Sequence, residues 1–532
     1  MVKDRIYYFA DFNLEALLSL SEQLRSRKCT CDMTKMPKCG SLNWVVFVTF
    51  DDGVEWVFRS PMASHNSIYS DDTSSKIVNS EASALMYLKA HTSIPVPEVY
   101  SYRQVPQASS LGEPSLDNRP SGTSDNSIGV PYILQSKAAG RSLGSYDWSN
   151  CPHRFTGSRN PRPPLPISDD CRNKVMRQLG SIMAELSDHR FAKIDSLIKN
   201  GGGDHIVGEC LSPCLTWQER DSLDLDREPF HQEQDYLVSL ISAFTSHARE
   251  LPFAPHIFYA PVPDNLHYKT TDSYRMASRR WNDFVAIGQK IDHSKNRLLY
   301  CIAGQFLVET ISHLISGFES SFTLSHPDLH VGNFYVDDDL NITCIIDWSS
   351  TSTGPIAELL ATPGLGGSAR PPSESLTTGF RAGFGQRSTR IGLELSRSKL
   401  WQVSDNMWFF SRLVRLLSKN DYAHFRRLFE LTHQPGAEEK DILYLVHERA
   451  KSDENQKLLA ELQEDDMTTA EIQEQERIAI SSTRRASSDA LAIARKLTLM
   501  SEMNPAFLAN HVLWQWVEEA LKQDGLHSFS KS

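Results

Sequence analysis

No apolar run in this chain approaches the ~18 residues that a membrane-crossing helix requires, so a membrane partner is not expected. The opening stretch MVKDRIYYFADFNLEALL carries acidic residues at Asp4 and Asp11 and has no cleavable apolar core. It signals neither export nor organelle import, and a cytoplasmic location is the expectation. Cysteine is sparse, nine in 532 residues. Cys29, Cys31 and Cys39 cluster, but their spacing fits no zinc pattern and no histidine lies near them, so reduced thiols are expected instead. A basic stripe is missing as well. The net charge is −11, and 13 acidic against 5 basic residues between positions 438 and 477 leave about −3 for everything else. Nucleic acid is therefore not an expected partner. The acidic run carries Ile442, Leu445, Val446, Leu458, Leu459 and Leu462 at helical spacing and reads as a solvated helical face on a C-terminal extension. Internal repeats are absent.

What is present is the composition of a soluble globular protein, 40% hydrophobic and 23% charged, at a length that suits two or three domains. Asn13 is a plausible cap for a helix whose apolar face is Leu14, Leu17, Leu18 and Leu24. NWVVFVTF, DDG and VEWVFRS read as strand, turn and strand, with Gly53 free to take positive φ. A helix is expected around residues 81–90, with Ala84, Leu85 and Leu88 on one face. A Ser/Pro/Gly-rich stretch, 104–129, reads as a disordered insertion. VPYILQSKAAG then reads as one buried strand ending at Gly140, and 145–169 as a second irregular insertion. Helices follow at Val175, Met176, Leu179, Ile182 and Leu186 and over 296–317. Residues 362–388 look loop-like, and from Leu400 onward the chain is helical, with Trp401, Trp408, Phe409, Trp514 and Trp516 as core anchors.

One segment carries the chemistry: LSHPDLHVGNFYVDDDLNITCIIDWSS, residues 324–350. Asp328 has a histidine two residues before it and an asparagine five after. Asp347 ends a run of strand formers, where an unpaired carboxylate is costly to bury. Between them FYVDDDLNITCII reads as a hairpin with Asp337, Asp338 and Asp339 at its exposed tip. Such spacing suits phosphoryl transfer: one carboxylate takes or orients the proton of an incoming hydroxyl, while an amide oxygen and a second carboxylate hold magnesium on the nucleotide phosphates. Turn and cap roles are the plainer alternative for any one of these residues.

HPDLHVGN followed by IIDW resembles the catalytic loop and metal motif of the aminoglycoside phosphotransferase and choline kinase-like branch of the protein-kinase-like fold. The resemblance is greatest to a fungal group of phosphotransferase-family proteins. NWVVFVTFDDGVEWVFRS, EASALMYLKAHTSIPVPEVYSY, PYILQSKAAGRSL and RWNDFVAIGQKIDHSKNRLLY are similar to that group too, so it covers most of residues 35–365. It implies an α+β, two-lobed, protein-kinase-like fold: a β-rich lobe over residues 1–135, a helical lobe over 136–400, and a helical extension over 401–532. It also implies Asp328 as catalytic base, His326 as a brace of the catalytic loop, and Asn333 and Asp347 as Mg²⁺ ligands. Glu81 matches the helix glutamate that orients a phosphate-binding cation. Where that cation is expected as lysine, this chain has Arg59, whose planar fork is not interchangeable with an ammonium. A surface ion pair is the alternative for these two.

The nucleotide loop also departs from the pattern, offering only CGSLNWV: Gly40 with the backbone amides of Ser41 to Asn43. The adenine is expected against backbone groups around Gln135 to Lys137. His330 stands two residues after the base where protein kinases commonly have lysine, and STSTGPIAELL follows Asp347 with no Ala-Pro-Glu, which favours a small-molecule hydroxyl acceptor. RRASS, at 484–488, has the look of a basophilic kinase target at Ser487 or of solvated linker. The expectation is thus ATP- and magnesium-dependent phosphate transfer to a small-molecule hydroxyl. The alternative is a nucleotide-binding regulatory module with little turnover, or, further off, a protein kinase. Neither acceptor nor oligomeric state is legible.

Overall fold

A computed structural model of the chain describes residues 12–32, 34–40, 42–62, 69–103, 127–149, 163–199, 205–318, 321–366, 370–388, 394–416, 420–433, 441–482 and 488–529. Ser41, Ser487 and most of the two insertions expected at 104–129 and 145–169 lie outside the described residues. Asn13 caps α1 (Leu14–Arg25), its side chain accepting from the Ala16 amide. Then come β1 (Cys29–Cys31), β2 (Lys38–Cys39), and the hairpin of β3 (Asn43–Phe50) and β4 (Glu55–Pro61). Gly53 turns that hairpin at φ 83°, which a residue without Cβ adopts at no steric cost. The helix α2 (Asp71–His91) precedes β5 (Val99–Arg103) and β6 (Tyr132–Ser136). These strands make one antiparallel sheet in the order β1-β3-β4-β6-β5, with β2 paired to β3.

Period-2 alternation decides which face does what. Trp44, Val46, Val48 and Phe50 of β3 and Trp56 and Phe58 of β4 pack with Phe12 and Leu17 on one side. On the other, Ile133 of β6 packs against Val78 and Ala82 of α2, and its register partner on β4 is Arg59. That pairing aims Arg59 at α2. The helix starts at Asp71, earlier than the 81–90 its apolar pattern predicts. Ser70 caps it by accepting from Thr73, and Asp71 and Asp72 suit the positive end of its dipole. Its early turns bury Thr73, Ser74 and Ser80, which leave no apolar signature.

The strand read in VPYILQSKAAG is split. Its ladder stops at Ser136, Gly140 turns at φ 90° where a Cβ would collide with the Val336 carbonyl, and β7 (Arg141–Ser142) joins another sheet. Next come α3 (Asp169–Asp188), β8 (Arg190–Phe191), β9 (Leu197–Lys199), β10 (His205–Val207), α4 (Glu233–Glu250), α5 (Thr271–Ala286) and α6 (Ser294–Glu309). The helix read over 296–317 closes at Glu309, with one 3-10 turn, Ile311–His313, beyond it. The segment with the chemistry supplies β11 (Phe322–Ser325), β12 (Phe334–Val336), β13 (Ile342–Ile345) and β14 (Ser352–Gly354). They form two small sheets, β14-β11-β8 and β13-β12-β7.

The loop expected at 362–388 is overturned. After α7 (Ile356–Leu360), α8 (Glu374–Arg387) begins at a Ser373 cap. Its glycines serve a close helix crossing, for a Cβ on Gly383 would collide with the Arg177 carbonyl and one on Gly180 of α3 with that of Phe380. Then follow α9 (Glu394–Val414), α10 (Asp421–Thr432), α11 (Ile442–Ala450) and α12 (Asp453–Leu462). The acidic run docks its stripe, with Ile442, Val446 and Leu462 buried in the same core as Tyr300, Phe306 and Phe425. Last come α13 (Thr469–Ser482), α14 (Ser488–Met503) and α15 (His511–Phe529). Leu497, Phe507 and Trp514 close over Trp281 and Phe284 of α5. Trp516 is not a core anchor: it is 61% exposed, because α15 seats Trp514 and Val517 and two residues on points to the far side. No described helix is long and apolar enough to cross a membrane, and the described cysteines are all free thiols. The architecture is α+β, a β-rich first lobe and a helical remainder.

Candidate active site

Strand β11 is buried through Phe322, Thr323 and Leu324 and delivers the chain to His326. The Asp328 amide donates to His326 Nδ1 at 3.1 Å, so the ring proton sits on Nε2 and is donated to the Ile346 carbonyl at 3.0 Å. Burial, the largest influence, keeps the imidazole below its ordinary pKa and so neutral. The Trp348 ring meets it edge-on with centroids 4.8 Å apart, and its indole N–H donates to Ile345 O at 3.0 Å. His326 thus ties the loop before Asp328 to the backbone just ahead of Asp347.

Asn333 lies directly before β12 and Asp347 two residues after β13, so the hairpin's register, Phe334 opposite Ile345, places both at one end. The Ile346 amide donates to Asn333 O at 2.9 Å, closing that end. Asn333 is buried and spends its amide N–H on the Asp328 carbonyl, 2.9 Å away. Its Oδ1 is left with no donor among the described residues. Asp347 takes φ 65°, an unusual conformation for a residue with a side chain.

Arg59 joins this end of the hairpin to the first lobe. One guanidinium nitrogen donates to Glu81, and the other to Asp347 and, at 2.9 Å, to Ser349 Oγ. Ser349 in turn donates to the second Glu81 oxygen at 2.7 Å. Arg59 is 8% exposed and Glu81 3%, so this is no surface ion pair; the Asp347 side chain is 34% exposed. Burial pushes the Glu81 carboxyl up, with Arg59 pulling the other way. For Asp347 burial, the largest single influence, pushes the carboxyl up, but the charge and hydrogen bond of Arg59 pull the other way and hold it below its ordinary range. Arg59 is held charged by the same two carboxylates against its desolvation.

Asn333 Oδ1 and an ionised Asp347 are hard oxygen donors of the kind magnesium takes from a protein, one or two beside substrate phosphates. The donor set fits that ion. Asp328 is exposed and lines a cavity of about 490 Å³ together with His330, Glu358, Arg412 and Arg415. His330 Nε2 stands 3.6 Å from Asp328 Oδ2.

The remaining predicted residues are placed apart from this cluster. Gly40 is exposed, and its amide donates to the Asn43 carbonyl at 2.9 Å at the mouth of β3; a Cβ there would meet nothing closer than 3.7 Å. Gln135 is buried on β6 with an Oε1 that lacks a donor. Lys137, half-exposed, pairs with Glu55. Sequence reasoning missed Ser349, whose signal is only its place in the hydroxyl run SSTST, and the two arginines, which lie over 80 residues past the loop they adjoin.

No protein-family model matches the chain. A subtelomeric hrmA-associated cluster protein of Aspergillus fumigatus is 24% identical over 347 residues, 61% of this chain and 58% of the relative, so the chain spans under two thirds of that protein's length. Among solved structures, a macrolide 2′-phosphotransferase from Brachybacterium faecium is 13% identical, with 80% of this chain and 99% of that one covered at a TM-score of 0.36. An ethanolamine kinase from Plasmodium vivax is 11% identical, with 85% and 84% covered at a TM-score of 0.35. Likenesses at these scores fix neither substrate nor activity.

Proposed function

We propose that the chain transfers the γ-phosphate of ATP, with magnesium, to a hydroxyl of a small-molecule acceptor. The nucleotide would lie between the lobe of residues 1–135 and that of 136–400, with 401–532 as an extension. What supports this reading most is a buried guanidinium, that of Arg59, which joins Glu81 of α2 to Asp347 at the end of the β12–β13 hairpin. A cation fixed there would face the nucleotide phosphates. Asp328 would accept the acceptor's proton, as an exposed carboxylate beside an open cavity can. Its loop is held by His326, a positioning residue, and by the Asn333 amide. In the transfer, the acceptor oxygen bonds to the γ-phosphorus, the bond from that phosphorus to the bridging oxygen breaks, ADP leaves with the bridging oxygen, and the hydroxyl proton passes to Asp328 and on to water. Asn333 Oδ1 and Asp347 would hold magnesium, which when bound offsets the phosphate charge.

A rival reading, nucleotide binding without useful turnover, draws on the same arginine. Arg59 already occupies one Asp347 oxygen, and the carboxylate would have to serve both cations. Asp328→Asn and Asp347→Asn, assayed with ATP hydrolysis as readout, test the proposal. Asp328→Asn is expected to keep Mg·ATP binding, seen as a melting shift, while turnover falls by roughly 10²–10⁴. Asp347→Asn is expected to lose both. Wild type and Asp328→Asn that bind nucleotide but are equally silent would leave the rival standing, and an Asp347→Asn that binds Mg·ATP as tightly as wild type would remove the metal site.

A further inference from the structure

The cavity beside Asp328 has a cationic wall. Arg412 and Arg415 are one helical turn apart at the end of α9, and both line it. Arg415 Nη1 donates to the Pro327 carbonyl at 2.7 Å, which sets its guanidinium one residue from Asp328. The remaining donors of this side chain are poorly used: Nε is buried without an acceptor, and no carboxylate forms an ion pair with Arg415 among the described residues. Its guanidinium carbon stands 5.3 Å from the Trp217 ring centre, and that of Arg412 3.5 Å from the Trp408 ring centre. A guanidinium against an indole is fixed in orientation and can still present its N–H edge to a planar or tetrahedral anion.

Two carboxylates, Asp328 and Glu358, line the same cavity. Asp328 is the proposed base, with His330 beside it. Glu358 accepts from the Tyr236 hydroxyl at 3.3 Å, and burial, the largest influence on it, pushes its carboxyl up to about 7, so near neutrality it carries only part of a charge. Burial first and Arg415 second bring Arg412 down to about 9, which still leaves it cationic at neutral pH. A cationic acceptor would meet two like charges in this wall.

Resting on the phosphotransferase reading above, we propose that the acceptor carries an anionic group, a phosphate or a carboxylate, which Arg412 and Arg415 seat while its hydroxyl faces Asp328. A cavity of about 490 Å³ has room for a body the size of a sugar. A purely structural pair, bracing the loop through Pro327, is the competing account.

Four probes share one ring and differ in charge: glucose 6-phosphate, glucuronate, glucose and glucosamine. Their binding to the full chain is measured by melting shift with the nucleotide site saturated by Mg·ADP, at constant ionic strength. Mg·ADP is first tested alone, because a missing shift there counts against the phosphotransferase reading and not against the anion site. Glucose 6-phosphate or glucuronate is expected to bind at least about 10-fold more tightly than glucose and glucosamine, the loss of a charge-assisted hydrogen bond being worth that much. Which of the two binds better distinguishes phosphate from carboxylate. Arg412→Gln should erase the preference and Arg412→Lys should keep most of it, so a merely unstable first variant does not decide the matter. Equal binding of all four probes, no binding by either anion, tighter binding of glucosamine, or a preference that survives Arg412→Gln would each overturn the proposal.

Discussion

Replacing Arg59 by methionine keeps the length of the stem and removes the charge that two carboxylates share. Taking away one partner of a buried ion pair costs roughly 3–5 kcal/mol, because the other is left desolvated. Ser349 still donates to Glu81, and Asp347 is a third exposed. The loss is therefore expected near the lower end, about 3 kcal/mol at pH 8. It should depend on pH, with a sign fixed by Glu81. Burial already raises that carboxyl above its ordinary 4.5, and without Arg59 it rises further. A carboxyl with a raised native pKa stabilises the fold while protonated; that share is complete below the unfolded value and is lost as pH climbs through the raised one. The deficit of Arg59→Met is thus smallest near pH 5 and grows toward pH 8, by at most ~1.4 kcal/mol per pH unit for one proton. Urea melts followed by circular dichroism across that range measure it. Adding Glu81→Gln, which removes the stranded charge, should recover most of the loss at pH 8. A deficit flat with pH, or a double variant no better than the single one, would refute the reasoning.

On α8, Gly383→Ala should destabilise by about 1–3 kcal/mol through the collision with Arg177, whereas Gly385→Ala, with no atom within 4 Å of its Cβ, should gain about 0.5–1 kcal/mol from helix propensity. Thermal melts of the two variants side by side check this, and equal shifts would disprove the tight crossing. Asp195 is fully buried; its Oδ1 accepts from the Ser196 amide at 2.6 Å and its Oδ2 has no partner. Burial pushes this carboxyl up to about 8 from 3.8, so its contribution is lost as pH rises through that window. Asp195→Asn should flatten the fall of melting temperature between about pH 5 and 8, and a fall as steep as wild type's would contradict it.

The grouping of the candidate site was legible because residue type and short spacing constrain it together. His326, Asp328, Asn333 and Asp347 lie within 22 positions, and a hairpin with DDD at its tip can only bring its two ends together. The β3–β4 alternation was legible for the same reason, since both partners are local. What escaped reading depends on contacts made from far away. Gly383 looks like a loop residue until its helix is seen to cross another about 200 positions away, at Gly180. The start of α2 is written in serines and threonines that pack against the rest of the fold, not in an apolar stripe. Nothing near Arg412 and Arg415 in the sequence announces that they face Asp328. Trp516 was misread because an aromatic in a helical segment shows no orientation until its neighbours Trp514 and Val517 find their partners.

The cover that α14 and α15 place over α5 has a bearing on synthesis. Phe284 and Trp514, with ring centroids 5.9 Å apart, are separated by 230 positions. At a translation rate of ~5–20 residues per second, the apolar face of α5 emerges from the ribosome roughly 10–50 s before its cover. Other folding events in the helical lobe can finish in that time, and the exposed Trp281–Phe284 surface is the part left waiting. Chains stalled before α15 should accordingly be cut by protease within Thr271–Ala286 more readily than released ones, and such nascent chains are where a holding chaperone would find its hold.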